Sequence, residues 1–222
     1  FAYELAVIIE DGMRRMLAAQ EDVFYYVTLM NESYAQPSMP EGAAEGILRG
    51  MHRLREAKGA KARLLGAGTI LNEVIAAADL LEKDWGVAAE VYSVTSFTEL
   101  RREGMKISRA RRFSPSPLGE GRGEGGSWVQ SQLPKNGTPV IAACDYVSAV
   151  ADLIRPWIQD DYVTLGTDGF GRSDTRAHLR RFFEVDRHSI ALAALVTLGD
   201  KRAKEAATRY RIDTESEPPW TR

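Results

Sequence analysis

Asp168, Arg172, Ser173 and Asp174 crowd into the stretch 161–174, Asp-Tyr-Val-Thr-Leu-Gly-Thr-Asp-Gly-Phe-Gly-Arg-Ser-Asp. Two carboxylates, a guanidinium and a hydroxyl so close together can hold a polar ligand or a charged partner. Gly166, Gly169 and Gly171 supply the tight and positive-φ turns that other residues resist. The same stretch reads equally as a well-made strand-to-helix turn with no chemistry of its own. Cys144-Asp145 could pair a nucleophile with a carboxylate, but no histidine lies nearby in sequence, which favours a small buried residue at a strand end. Gly66-Ala67-Gly68-Thr69 could cradle a phosphate at a helix start; it lacks the third glycine and the later acidic partner of a dinucleotide fingerprint. His52, His178 and His188 are scattered without an i, i+4 partner, a spacing that makes no metal site.

Residues at such positions need strands that end just before them and helices that begin just after. Residues 162–165 fit a buried strand, Ser173 or Asp174 can cap the helix 174–183, and residues 61–66 with 70–85 repeat the same strand, glycine turn and helix. Residues 87–94 alternate as a strand, and Ser96 with Glu99 opens the next helix as a capping box. Residues 138–143 are a strand and 146–158 a helix that Pro156 bends or ends. Helices over 189–198 and 201–210 complete the pattern, and the tail should fray. The recurring βα order predicts an α/β fold, a mostly parallel sheet with flanking helices.

Further upstream, residues 1–17 space their apolar side chains as a helix packed by one face, and 22–30 are aromatic and β-branched enough for a strand buried on both sides. The two prolines of 31–42 mark a linker, and 43–56 reads as a helix that docks it. Residues 105–127 break the pattern: a basic run and then a Pro- and Gly-rich passage predict a flexible, solvated insert. A net charge of -2 gives no field to attract nucleic acid or an anionic membrane. Hydrophobic residues at 44% and charged ones at 27% suit a globular domain with a sizeable core. One cysteine excludes an internal disulfide and a thiolate metal cluster.

Five motifs go further: Tyr25-Tyr26-Val27-Thr28, Asn31-Glu32-Ser33-Tyr34, Met39-Pro40-Glu41-Gly42, Tyr92-Ser93-Val94-Thr95-Ser96-Phe97-Thr98-Glu99-Leu100, and 165–174. Through them the chain resembles the C-terminal part of the homodimeric, bacterial-type pyruvate dehydrogenase E1 component, in the transketolase-like thiamine diphosphate superfamily. The resemblance implies the tail end of a pyrimidine-binding domain over 1–30, a linker over 31–42, a transketolase C-terminal-like domain over 43–214 with the insert 105–127, and a tail over 215–222. It also implies decarboxylation of pyruvate with thiamine diphosphate and Mg2+ and acetylation of the lipoyl group of the E2 dihydrolipoyl acetyltransferase, in a cytoplasmic homodimer. The alternatives are a non-catalytic α/β dimerisation or interaction module, another thiamine-dependent 2-oxoacid decarboxylase, or a transketolase.

The family's Gly-Asp-Gly motif and paired asparagines are not in this sequence: Asp168-Gly169 follows Thr167, and Asn31, Asn72 and Asn136 are never adjacent. The resemblance therefore carries over no catalytic, cofactor-binding or metal-ligating residue, and the chain by itself is expected to be inactive. Asn31, Glu32, Tyr34, Glu41, Asp168, Arg172, Ser173 and Asp174 remain as candidates for structural or active-site-entrance loops. The insert departs from the family's pattern and reads as genuine or as a frameshifted passage.

Overall fold

The computed structural model describes residues 1–113 and 126–222. Five strands form one sheet in the order β1-β3-β2-β4-β5: β1 (Met51–Arg55), β2 (Ala62–Gly66), β3 (Ala89–Val94), β4 (Val140–Ala143) and β5 (Tyr162–Leu165). Only the edge strand β1 runs antiparallel, against β3; β3, β2, β4 and β5 are parallel. Every residue of the central β2 is buried because both of its faces are covered. On one face Leu64, Val91 and Ile141 pack with Val74, Leu81, Ile190 and Leu195 of α3 (Ile70–Trp85) and α8 (Arg187–Thr197). On the other, Leu65, Tyr92 and Ala142 pack with Leu100, Val129 and Ile154, from α4 (Phe97–Phe113), α5 (Trp128–Gln132) and the 3-10 turn Asp152–Trp157 that follows α6 (Ser148–Ala151).

Several local expectations change. Residues 43–56 are a short helix α2 (Ala43–Arg49) and then strand β1, because Gly50 at φ 100 ends the helix in a left-handed cap and turns the chain onto the sheet edge. The helix from Ser96 runs on as α4 to Phe113, so 105–113 of the expected insert are helical, with Arg109 and Arg112 laid over the Phe113 ring. Gly104 lies against Trp157, whose indole donates to Ser108 Oγ at 3.1 Å, which ties the middle of that long helix to the core. At the far end of the insert Ser127 is buried and caps α5. The rest of the expected insert, 114–125, lies outside the described residues.

The upstream segment differs most. Helix α1 (Ala2–Met13) ends in a π-helical turn, but Ile9, Met13, Met16 and Leu17 are exposed, and its buried residues are Glu4 and Gly12. Residues 22–30 pair with no strand among the described residues and leave Phe24 and Tyr26 at 88% exposure. Their composition suits a strand covered on both faces, and the described residues provide no sheet beside them. Glu4 instead anchors α1 to the edge of the sheet: its carboxylate accepts from Ser93 Oγ and lies 2.8 Å from His52 Nε2.

Helices α7 (Arg176–Phe182) and α9 (Ala203–Arg209) close the chain, and the tail, expected to fray, forms a turn at Pro219–Thr221 with Pro219 buried.

Candidate functional site

The chain leaves β2 toward β3 on one side and returns to β4 on the other, so the strand order reverses between β2 and β4. In open α/β sheets, ligands gather in the crevice at the carboxyl ends of the strands where this reversal occurs. Here that place is made by the turn Gly66–Thr69 after β2, Cys144-Asp145 after β4 and the loop 166–174 after β5.

Asp145 is half-buried at the head of the crevice. Burial raises its carboxyl above the usual range, opposed by its own backbone N–H and by the nearby Arg180 guanidinium. Its main-chain carbonyl accepts from Thr167 Oγ1 at 2.6 Å. Gly68, at φ 56, faces it, and a Cβ there would stand 3.5 Å from Asp145 Oδ1. A carboxylate so close to the glycine turn argues against the phosphate-cradle reading of Gly66–Thr69, because it would repel an anion bound there. Cys144 is fully buried; its thiol is pushed up to about 11, chiefly by burial and further by the Asp145 and Asp168 charges, against a contact to the Tyr146 carbonyl. A protonated, inaccessible thiol is no nucleophile.

Across the crevice runs a charge network that joins distant parts of the chain. Arg180 of α7 pairs with Glu32, donates to Glu73 Oε1 at 3.4 Å and reaches Thr69 Oγ1 at 3.4 Å. Glu73 is buried and also receives Arg187 through Nε at 2.8 Å, Nη2 at 3.0 Å and the main-chain N–H at 3.0 Å. Arg176 donates to Asn31 Oδ1 at 2.6 Å and lies 3.6 Å from Glu32. Thr28 Oγ1 and Tyr146 Oη share a hydrogen bond of 2.7 Å. The extended segment around residues 28–32 is thereby held against the carboxyl edge.

The candidate residues separate accordingly. Asn31 and Glu32 meet the network directly, while Tyr34 packs edge-on against Phe1 at 6.1 Å. Asp168 Oδ1 accepts the Ser148 N–H at 3.0 Å, a structural use at the start of α6. Arg172 donates to the Arg222 carbonyl, Ser173 is exposed, and Asp174 binds the Thr175 N–H and His178 Nδ1. The cap of α7 is therefore Thr175, whose hydroxyl accepts the His178 N–H, and not Ser173 or Asp174. Glu41 lies elsewhere, in a cleft of about 620 Å3 with Arg63, Glu90 and Trp128 at the amino ends of the strands. The hub residues Glu73, Arg180 and Arg187 were not singled out from sequence. An acid in the first turn of α3 and arginines on α7 and α8 look like ordinary helix charges until folding brings them together.

The network makes stability pH-dependent. Burial raises the Glu73 carboxyl, but Arg187 and Arg180 outweigh it and hold the group below the usual range. Asp186 is likewise raised by burial and lowered more by the Ser189 N–H and Arg181. A depressed carboxylate stabilises the fold above its unfolded pKa, and that stability is lost as pH falls through the folded value. Asp145, with its raised value, works in the opposite direction. The urea midpoint is expected to hold near neutrality and fall from about pH 5 downward, with a shallower slope in Glu73→Gln.

The described residues do not fit thiamine diphosphate and its metal. No group of three or more His, Cys, Asp or Glu among them could hold a metal ion. Asp168 is engaged with Ser148, and a carboxylate faces the glycine turn.

Comparison with known proteins places this arrangement. The model of the transketolase-like TK C-terminal domain matches residues 50–186, and that of the pyruvate dehydrogenase E1 component middle domain matches residues 1–37. The pyruvate dehydrogenase E1 component of Pseudomonas aeruginosa is 50% identical over 99% of this chain and 25% of its own length. That of Escherichia coli K12 is 44% identical over the same shares. The chain thus spans about a quarter of the length of the curated relatives it matches. A transketolase from Pichia stipitis, in complex with xylulose 5-phosphate, superposes with a TM-score of 0.50 and 17% identity over 73% of this chain and 20% of its own. That likeness shows the fold. The chain belongs to the family of transketolase-like C-terminal domains, in the form carried by the bacterial pyruvate dehydrogenase E1 components it resembles.

Proposed function

We propose that this chain supplies the C-terminal domain, and the segment leading into it, of a pyruvate dehydrogenase E1 component. The observation that carries the reading is the 50% identity to the Pseudomonas aeruginosa protein along 99% of the chain. In this reading residues 1–30 end the pyrimidine-binding domain, 31–42 link it to the domain 43–214, and 215–222 form the tail. The enzyme decarboxylates pyruvate on thiamine diphosphate with Mg2+ and transfers the two-carbon unit to the lipoyl group of E2, as a cytoplasmic homodimer that feeds glycolytic carbon into acetyl-CoA. The cofactor is held by residues outside this chain and supplies the carbanion sink.

The duty of this chain is architectural. Its carboxyl edge, where many α/β domains hold a ligand, receives the chain's own segment 28–32 through Glu32–Arg180, Asn31–Arg176 and Thr28–Tyr146. Glu4 makes a second anchor through His52 of β1 and Ser93 of β3. Two anchors, one on α7 and the loop after β4 and one on β1 and β3, resist hinge motion between the flanking domains better than one. Asn31, Glu32, Asp168, Arg172 and Asp174 act as structural residues of the loops around this docking.

The test is an assay of the full-length protein with thiamine diphosphate, Mg2+, pyruvate and an artificial electron acceptor. Pyruvate-dependent reduction of the acceptor is the expected result, with none from residues 1–222 alone. A full-length protein that turns over another 2-oxoacid or a sugar phosphate and leaves pyruvate untouched would overturn the reading.

A further inference from the structure

We propose that the last residues of the chain form a strap that locks the 166–174 loop at the carboxyl edge, making that loop's conformation depend on the tail. This goes beyond the function proposed above, since it concerns how the edge is held and not what the enzyme converts.

Five observations support it. Pro219 is buried. Gly169, at φ +105, lies under the tail so closely that a Cβ there would stand 2.8 Å from Trp220 Cα and 3.2 Å from the Pro219 carbonyl. Arg172 Nη2 donates to the Arg222 carbonyl at 2.6 Å. The Arg172 and Arg222 guanidinium carbons lie 4.2 and 5.3 Å from the centre of the Phe182 ring, a cation–π arrangement in both cases. Arg222 is held in addition by Glu184 at 3.3 Å.

Apart from the Arg172–Phe182 stacking, the contacts join residues 219–222 to the loop, to α7 or to Glu184 just beyond it. The loop by itself is poorly restrained: residues 169–178 are exposed, and Phe170 is 90% exposed at its tip. A glycine-rich, exposed segment opens at low free energy unless something outside it holds it closed. The tail is that restraint. The loop in turn carries Thr167 and Asp168, which hold the Asp145 carbonyl and the Ser148 N–H, so the strap reaches the crevice through it.

Two variants of the full-length protein test the coupling from both ends, since a coupling free energy acts equally in both directions. Pro219→Asp places a charge in a buried position and should lift the tail. Amide hydrogen exchange over residues 167–174 is then expected to rise about tenfold or more, with β2 and β4 unchanged. Arg172→Ala, which leaves the tail sequence intact, is expected to speed exchange at residues 220–222. The proposal fails if exchange in the loop is unchanged in Pro219→Asp, if the tail is unchanged in Arg172→Ala, or if the rise in either variant spreads evenly into the central strands.

Discussion

Gly166→Ala is expected to be among the most damaging single substitutions in the chain, with a loss of about 3 kcal/mol or more, the upper end of what overpacking costs. The reason is backbone against backbone. A Cβ at position 166 would meet the Ser148 main-chain N–H, with Ser148 Cα at 2.6 Å and the Tyr146 carbonyl at 2.7 Å. A flexible side chain could swing aside; these atoms cannot. They belong to the segment that carries the chain out of β4 into α6, and Thr167 donates its N–H to the same Tyr146 carbonyl at 2.8 Å. Relief of the clash would break that bond and displace Asp168 from Ser148. The measurement is thermal unfolding, where each kcal/mol lowers Tm by roughly 2–4 °C in a domain of this size. Gly171→Ala is the control: nothing lies within 4 Å of a Cβ there and φ is not positive, so a drop like that of Gly166→Ala would sink the steric argument.

Glu73→Ala is the second. It removes a carboxylate that serves both Arg180 and Arg187, and breaking a buried pair in this way costs about 3–5 kcal/mol. Arg187, nearly half exposed, can turn to water and recover part of that loss. Arg180, at 15% side-chain exposure, cannot, and retains Glu32 and the longer contact to the Thr69 hydroxyl. The lower end of the range is therefore expected, near 3 kcal/mol, measured by urea unfolding at pH 7. Glu73→Gln keeps the shape and an acceptor oxygen and should lose about half as much. If alanine cost no more than a surface pair, about 1 kcal/mol or less, the network would be ornamental.

What could be read along the chain was whatever local pattern decides. β2, β3, β4 and β5 and the helices α3, α8 and α9 announce themselves by apolar spacing and by the glycine turns and caps at their ends. The basic run after Gly104 resembles a solvated loop and hides the full length of α4; contact between Gly104 and Trp157, fifty-odd residues on, ties it to the core as a helix. β1 reads as the end of a helix in sequence because Met-His-Arg-Leu-Arg has no period of its own, and its pairing with β3 makes it a strand. Residues 22–30 show the converse: strand composition with no neighbouring strand among the described residues gives mostly exposed chain without regular structure.

The site divides in the same way. Sequence sufficed to point to the 166–174 loop, because glycines at a strand end followed by a capped helix are a local signal, and it sufficed for the family, because long ordered motifs survive in one dimension. Tertiary structure alone decided what the loop's charged residues do. Asp168 and Arg172 satisfy main-chain groups from elsewhere in the chain, Arg180 gathers Glu32 and Glu73 from far upstream, and Asp145 meets the glycine turn that a phosphate would need. The physical reason is that an electrostatic or hydrogen-bonded contact depends on distance in space and on burial, and neither follows from the residue's own neighbours in sequence.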